Sequence, residues 1–394
     1  MKRLLSACVM LFVLASISHA ATFYVATNGS DNRNNSQAQN RSTPWRTIQR
    51  GLDSAGGGDE VVVLDGTYYE QARFRRSGSA GADILLRSEN REGARVIGSI
   101  AGYDVNYVVV EGFDVTNNGD TQQTKGIAFG RCHHVTVRNN RVRNCFGGGI
   151  GVDQSDWILI EWNVVHENAF WDVNQHSGIS VYQPQKRGSD SRDYAIVIRN
   201  NTSFANWNRV DNPIFGRPTD GNGIVLDDFY NQQSSNGRPY NRATLVENNL
   251  CFDNGGQGIH TFLSQFITIR NNTCVNNMGS FDFGGEVSLI SSRRVYYYNN
   301  ILVARPGKRA AFQYQSTQFW MGYSVIDGPY DGFRFANSNF FGPAMFRSGS
   351  LFEPEIFSPA INRGYDAGDH FFLDVNGRDR IRARIDIGAN ELQN

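Results

Sequence analysis

The sequence predicts an all-β chain wound into one single-stranded parallel β-helix. Three observations carry this: a phrase of alternating apolar residues that closes on Asn, a second phrase opening on Gly-Ile, and a spacing between copies near two dozen residues. The first phrase runs His134-Val-Thr-Val-Arg-Asn-Asn140, Ile158-Leu-Ile-Glu-Trp-Asn163, Ile196-Val-Ile-Arg-Asn-Asn201, Thr244-Leu-Val-Glu-Asn-Asn249, Ile267-Thr-Ile-Arg-Asn-Asn272 and Val295-Tyr-Tyr-Tyr-Asn-Asn300. The second begins at Gly126, Gly149, Gly178, Gly223 and Gly258, and degenerates to Glu286-Val-Ser-Leu. A leucine-rich horseshoe shares the period, but its Leu-x-x-Leu-x-Leu framework is absent. In four coils a further Asn follows five positions on, at Asn168, Asn206, Asn254 and Asn277. Stacked at bends, such amides can bond the coils above and below, and Asn tolerates the left-handed backbone of a sharp corner.

In chain order, residues 1–20 read as a secretory signal: Lys2 and Arg3, an apolar run from Leu4 to Ile17, and small residues before a cut near Ala20. A secreted or periplasmic protein is expected. Residues 21–60 hold a first strand and a capping helix, with Thr43 as N-cap, Pro44 in the first turn, and Trp45, Ile48 and Leu52 on one side. Such a helix would lid the open end of the solenoid. Residues 61–326 carry the coils. Residues 327–394 lose the repeat and read as irregular strands and loops covering the last coils.

A solenoid grows by adding coils, so the 394 residues are expected to form one long domain and a monomer. Lys and Arg number 38, as do Asp and Glu, and the leader removes two cations and no acid. That balance argues against a nucleic-acid partner, which needs a basic face. No apolar run beyond the leader approaches membrane-spanning length. Cys251 and Cys274 fall at matching places on successive coils, compatible with a disulfide or with two stacked thiols, and Cys132 and Cys145 pose the same alternative.

Both ends of the mature chain carry recognisable phrases. Phe23-Tyr-Val-Ala, Pro44-Trp-Arg-Thr-Ile and Gly58-Asp-Glu-Val-Val-Val-Leu-Asp-Gly-Thr-Tyr at the start, with Ser358-Pro-Ala-Ile-Asn and Asp386-Ile-Gly-Ala-Asn-Glu-Leu near the end, resemble secreted right-handed parallel β-helix proteins of the pectate-lyase-like superfamily. The resemblance implies that fold and a polysaccharide substrate. Lyases, hydrolases and epimerases share those ends, so it leaves the chemistry open. Family-nine pectate lyases use a lysine base beside a calcium site of aspartates, and no lysine occupies the strand columns here. Polygalacturonases carry Thr-Asp-Gly, Asp-Asp and Gly-His on successive coils; here Thr219-Asp-Gly and Asp227-Asp228 fall on one coil and Gly258-Ile-His260 on the next.

Aligning the Gly-Ile strands places the Ile and the residue two beyond it inward, so the third and fifth residues of each phrase face out. The fifth column reads Gly130, Asp153, Tyr182, Asp227 and Phe262; the third includes Ser180, Val225 and His260. Inserts at 184–193, 208–221 and 229–242 border these coils, as walls of a binding groove would. The expected proton carriers are Asp227, His260, Tyr182, His176 and Asp153. Asp227 and His260, on adjacent coils, are placed about 8 Å apart at Cα. Lys125, Lys186 and Arg187 are expected to meet substrate carboxylates, and Phe262, Phe229 and Tyr230 to stack on sugar rings. Asp220, Asp227 and Asp228 form an acidic cluster suited to calcium or to capping turns. Two enzyme classes follow, a lyase acting on a uronate polymer by β-elimination and an inverting glycosidase using paired Asp; a carbohydrate-binding solenoid without turnover is the third reading.

Overall fold

The structure, a computed structural model, describes residues 20–117, 125–234, 237–281 and 283–393; the leader read in residues 1–20 falls outside them except for Ala20. Among the described residues the chain winds into three parallel sheets of 11, 10 and 11 strands. Sheet A runs from Thr22–Val25 to Thr317–Gly322, sheet C from Gln71–Phe74 to Tyr330–Asp331, and sheet B from Gly66–Tyr68 to Phe340–Phe341. A regular coil contributes one strand to each sheet in the order C, A, B. Register is strict: Ile127, Ile150, Ile179, Ile224 and Ile259 stack as one inward column, each 0% exposed. Burying such a side chain contributes roughly 1.5–3 kcal/mol, and repetition along the axis makes the core continuous.

The strands are three to six residues long through most of the solenoid, so each coil must bend sharply three times. At the bend from sheet A to sheet B the two residues of the Asn-Asn phrase divide the work. The first takes the left-handed backbone, with φ of 59° at Asn139, 54° at Asn200 and at Asn248, and 53° at Asn271. The second turns inward and builds a ladder: the backbone N–H of Asn163 and its side-chain amide both donate to Asn201 Oδ1, at 3.0 and 2.9 Å. Asn201 does the same to Asn249, and Asn249 to Asn272. A second ladder joins Asn168, Asn206, Asn254 and Asn277. It ends on Glu286, whose carboxylate accepts from the Asn277 backbone and amide. The degenerate start of the sixth Gly-Ile phrase is therefore a replacement cap.

Three expectations are corrected at the ends. The helix spans Ile48–Ser54, and Thr47, not Thr43, is its N-cap, accepting from the backbone of Arg50. Pro44 and Trp45 stay extended because Trp45 bridges to Val25 and packs on Phe23 at 5.0 Å. The coils begin before residue 61, since Thr22–Val25 pairs with Glu60–Val63, and reach beyond 326 to Phe340–Phe341. Residues 342–393 then double back along the bend between sheets A and B. There the outer Asn residues hold them: Asn200 and Asn248 donate to the carbonyls of Asp374 and Leu373, at 2.7 and 3.0 Å. The four described cysteines are buried and free, with Cys251 beside Cys274 in register, so the stacked thiols are what forms. Among the described residues no helix is long and apolar enough to cross a membrane.

Candidate functional site

The outer face of sheet C collects the chemistry in two rows. One is the predicted column: Asp153, Tyr182, Asp227 and Phe262 stand in register at the ends of four successive strands, all half-buried. The other comes from the turns preceding the strands. Lys125, His176 and Asp220 precede their strands, and Lys125 lies over Gly151 of the face.

Lys125 Nζ lies 2.8 and 3.1 Å from the two carboxylate oxygens of Asp153. Its stem passes over Gly151, where a Cβ would stand 2.3 Å from Lys125 Cδ, so the absence of a side chain there is what lets the pair form. His176 Nδ1 bonds the carboxylate of Asp172, which is 0% exposed and also accepts the backbone N–H of His176. That bond fixes the ring and leaves Nε2 as the nitrogen able to act. Asp220 accepts from Thr219 Oγ1 at 3.1 Å and Asn222 Nδ2 at 2.7 Å. Burial nevertheless pushes its carboxyl up to about 6, with the Asp172 charge adding to the rise and His176 opposing it. Asp227 accepts from Gln233 Nε2 at 2.7 Å. Burial, then the nearby charge of Asp220, hold its carboxyl well above the usual carboxylate range, and Asp228 and Asp153 push the same way. Both acids keep some exposed surface, with protein on most sides. The Tyr182 hydroxyl, 2.8 Å from Ser234 Oγ, is raised by burial and by the charge of Asp227.

Six expected residues thus converge: Lys125, Asp153, His176, Tyr182, Asp220 and Asp227. The others fare differently. His260 occupies the outer column as predicted, but it is 7% exposed and makes no hydrogen bond to Asp227; its Nδ1 is buried without a partner, and burial lowers the ring to about 4. The hydrogen-bonded histidine and carboxylate on this face are His176 and Asp172. Asp228 takes a left-handed φ of 50° at the bend, and its carboxylate accepts the backbone N–H groups of Gln232 and Gln233 and the amide of Gln183. It caps the loop that delivers Gln233 and Ser234. Phe229 is 0% exposed and packs edge-on against Tyr240 at 5.7 Å, a core contact instead of a sugar platform. Arg187 is spent on the Gln154 carbonyl, Lys186 is exposed, and the Tyr230 ring lies under Arg293, 5.7 Å from its guanidinium carbon.

Asp172, Gln233 and Ser234 escaped sequence reasoning. Only the four-residue interval from Asp172 to His176 could have signalled the first, because in short-range turns that spacing lets a carboxylate reach a following ring. Among the described residues no three His, Cys, Asp or Glu side chains stand together as a metal site. With Asp228 committed to its loop, the expected calcium trio does not fit a protein-built site for an ion that takes six to eight oxygens. A concavity of about 510 Å³ near Glu60 and Arg138 on sheet A lies apart from these residues.

Winding, register and bend chemistry define a right-handed parallel β-helix. Residues 88–186 match a family model described as right handed beta helix region. Pectate lyase Pel9A superposes with a TM-score of 0.58 at 17% identity, over 96% of this chain and 98% of that one. An alginate lyase from Paenibacillus sp. str. FPU-7 gives 0.49 at 15% identity, over 74% and 96%. In sequence, uncharacterized protein YwoF of Bacillus subtilis (strain 168) is 25% identical over 135 residues, 30% of this chain and 28% of that protein. The chain thus aligns with less than a third of the length of that curated relative.

Proposed function

We propose that this chain is an exported polysaccharide-active enzyme that cleaves a uronate-containing polymer by β-elimination in the groove on sheet C. The observation that carries the reading is His176, held at Nδ1 by the buried Asp172 and close enough to Asp220 to oppose its rise, with Asp220 in turn raising Asp227, both carboxyls lying above the usual range through burial. β-Elimination needs three things: the charge on the uronate carboxylate must be masked, the proton beside it removed, and the departing oxygen protonated. Protonated Asp220 and Asp227 supply hydrogen-bond donors to the carboxylate. His176 Nε2 takes the proton as the C–H bond breaks and the C=C bond forms. The Tyr182 hydroxyl gives a proton to the oxygen whose C–O bond breaks. Pectate lyase Pel9A, which shares the fold, is named for the same class of substrate.

Inverting hydrolysis is a second reading, favoured by one observation: Asp227, with its raised carboxyl, and Asp153 share a column two coils apart. At about 4.8 Å per coil that is roughly 9.6 Å between backbones, near the roughly 6.5–9.5 Å between carboxyls that admits a water. Incubating the secreted protein with uronate and neutral polysaccharides, with and without chelator, separates the readings. Absorbance from an unsaturated uronate supports elimination, reducing ends alone support hydrolysis, and retention without products means a binding protein. Loss of product in chelator would bring calcium back, supplied with the substrate.

A further inference from the structure

We propose that a second pocket on the same face, on the N-terminal side of Asp153, is a subsite for an anionic sugar unit whose carboxylate is taken by Arg73 and whose ring rests against Tyr103. The inference rests on the glycan-cleaving reading above and adds to it where the chain is gripped.

The pocket encloses about 280 Å³ and is lined by Arg73, Ala101, Tyr103, Ala128, Gly130 and Asp153. That is close to the lower end of ligand pockets, ~300 Å³, and suits one sugar unit. Register explains why it exists. Arg73, Ala101, Ala128 and Gly151 stack as one outward column, and Tyr103, Gly130 and Asp153 as the other. Further along the axis these columns carry larger groups, Tyr182, Asp227 and His260; here two successive coils carry Ala101, Ala128 and Gly130, which leaves a hollow. Gly130 is required by it, because a Cβ there would stand 2.2 Å from the Tyr103 ring. Tyr103 is 56% exposed, and the Arg131 guanidinium carbon, 4.2 Å from the ring centre, braces it.

Arg73 is the residue that gives the pocket its chemistry. Gln49 of the capping helix grips its backbone on both sides, accepting its N–H at 2.8 Å and donating to its carbonyl at 3.0 Å. Its guanidinium has no ion pair or side-chain hydrogen bond among the described residues. The neighbouring cations are already committed, Arg131 to Asp104, Arg75 to Asp53 and Lys125 to Asp153. With its backbone held and its planar fork free, Arg73 can match a carboxylate in bidentate fashion. Gly130 lies three coils from Asp227, roughly 14 Å at about 4.8 Å per coil. Only an oligomer reaches both, so the pocket sets the orientation and the minimum length of chain.

The test uses the full chain and ladders of oligogalacturonate, oligomannuronate and oligoglucuronate, with xylo-oligosaccharides as uncharged controls. For Arg73→Gln and Tyr103→Ala the expected result is a KM for the longer uronate oligomers raised about tenfold, the size of one lost charged hydrogen bond. kcat should stay within about twofold on that account. Preference for long over short oligomers should vanish, and Arg73→Lys should restore part of the affinity. Arg73 is exposed, so its variant tests the site even if Tyr103→Ala folds poorly. Unchanged KM and length preference, with cleavage intact, would overturn the subsite alone. Cleavage of neutral chains only would overturn its anionic occupant, and a wild type that neither cleaves nor binds any uronate oligomer would remove the cleavage reading together with the subsite.

Discussion

Asp172 holds His176 by ring and backbone at once, and this gives the imidazole its tautomer. His176→Ala should lower kcat by about 10²–10⁴, the usual contribution of an oriented acid-base group. Asp172→Asn should move the pH profile of kcat/KM as well as its height, a shift that lost packing alone would not produce. Asp220 sets a second limb. Its carboxyl titrates at about 6, so its donor form dominates below that pH and fades above it. Elimination should therefore slow as pH rises through 6, and Asp220→Asn, a donor at every pH, should flatten that limb in initial-rate measurements. Asp153, Tyr182 and Asp227 were legible because a strand has period two and counting assigns a face. The burial of Phe229 was not, because its cover, Tyr240, comes from the far end of the same insert, which strand counting does not see.

At the level of the bend, the Asn-Asn phrase was visible as a repeat, but the division between an outer left-handed residue and an inner ladder residue was not. Both are Asn, and only the backbone angles tell them apart. Asn201→Ala removes the acceptor for two donors of Asn163 and two further bonds to the Ile160 and Arg199 carbonyls. Each buried group left unpaired costs about 1–3 kcal/mol, so unfolding in denaturant should show a loss of at least about 3 kcal/mol. The capping helix teaches a related lesson. Thr43-Pro44 and Thr47 both carry start signals; the packing of Trp45 against Phe23 decided between them, and that contact spans the first coil.

Across the whole molecule, burial of acids ties stability to pH. Glu286 is 0% exposed, and burial pushes its carboxyl up to about 8 from an ordinary 4.5. The fold therefore holds this proton more tightly than the open chain does. Its contribution is complete below pH 4.5 and is lost as pH rises toward 8. Glu391, raised to about 7, has the same sign, whereas His260, lowered to about 4, acts in the opposite sense only below 6.5. Melting temperature should thus fall between pH 6.5 and 8, and Glu286→Gln should fall less, as followed by circular dichroism. The coil count and the returning tail were only partly legible, because the first and last strands lack the repeat phrase and pair only by position.

The ladder of inner amides has a direction. From Phe113 through Asn140, Asn163, Asn201, Asn249 and Asn272 to Asn300, each backbone N–H is received by a side chain one turn closer to the C-terminus, and Ser324 and Asn339 complete the series. Trimming from the front strands an oxygen, which water or a second donor can accommodate; trimming from the back strands a buried N–H, which folded proteins almost never tolerate. Shortened versions of this protein should accordingly survive loss of leading turns far better than loss of trailing ones, so an engineer shortening the scaffold has one safe end from which to begin.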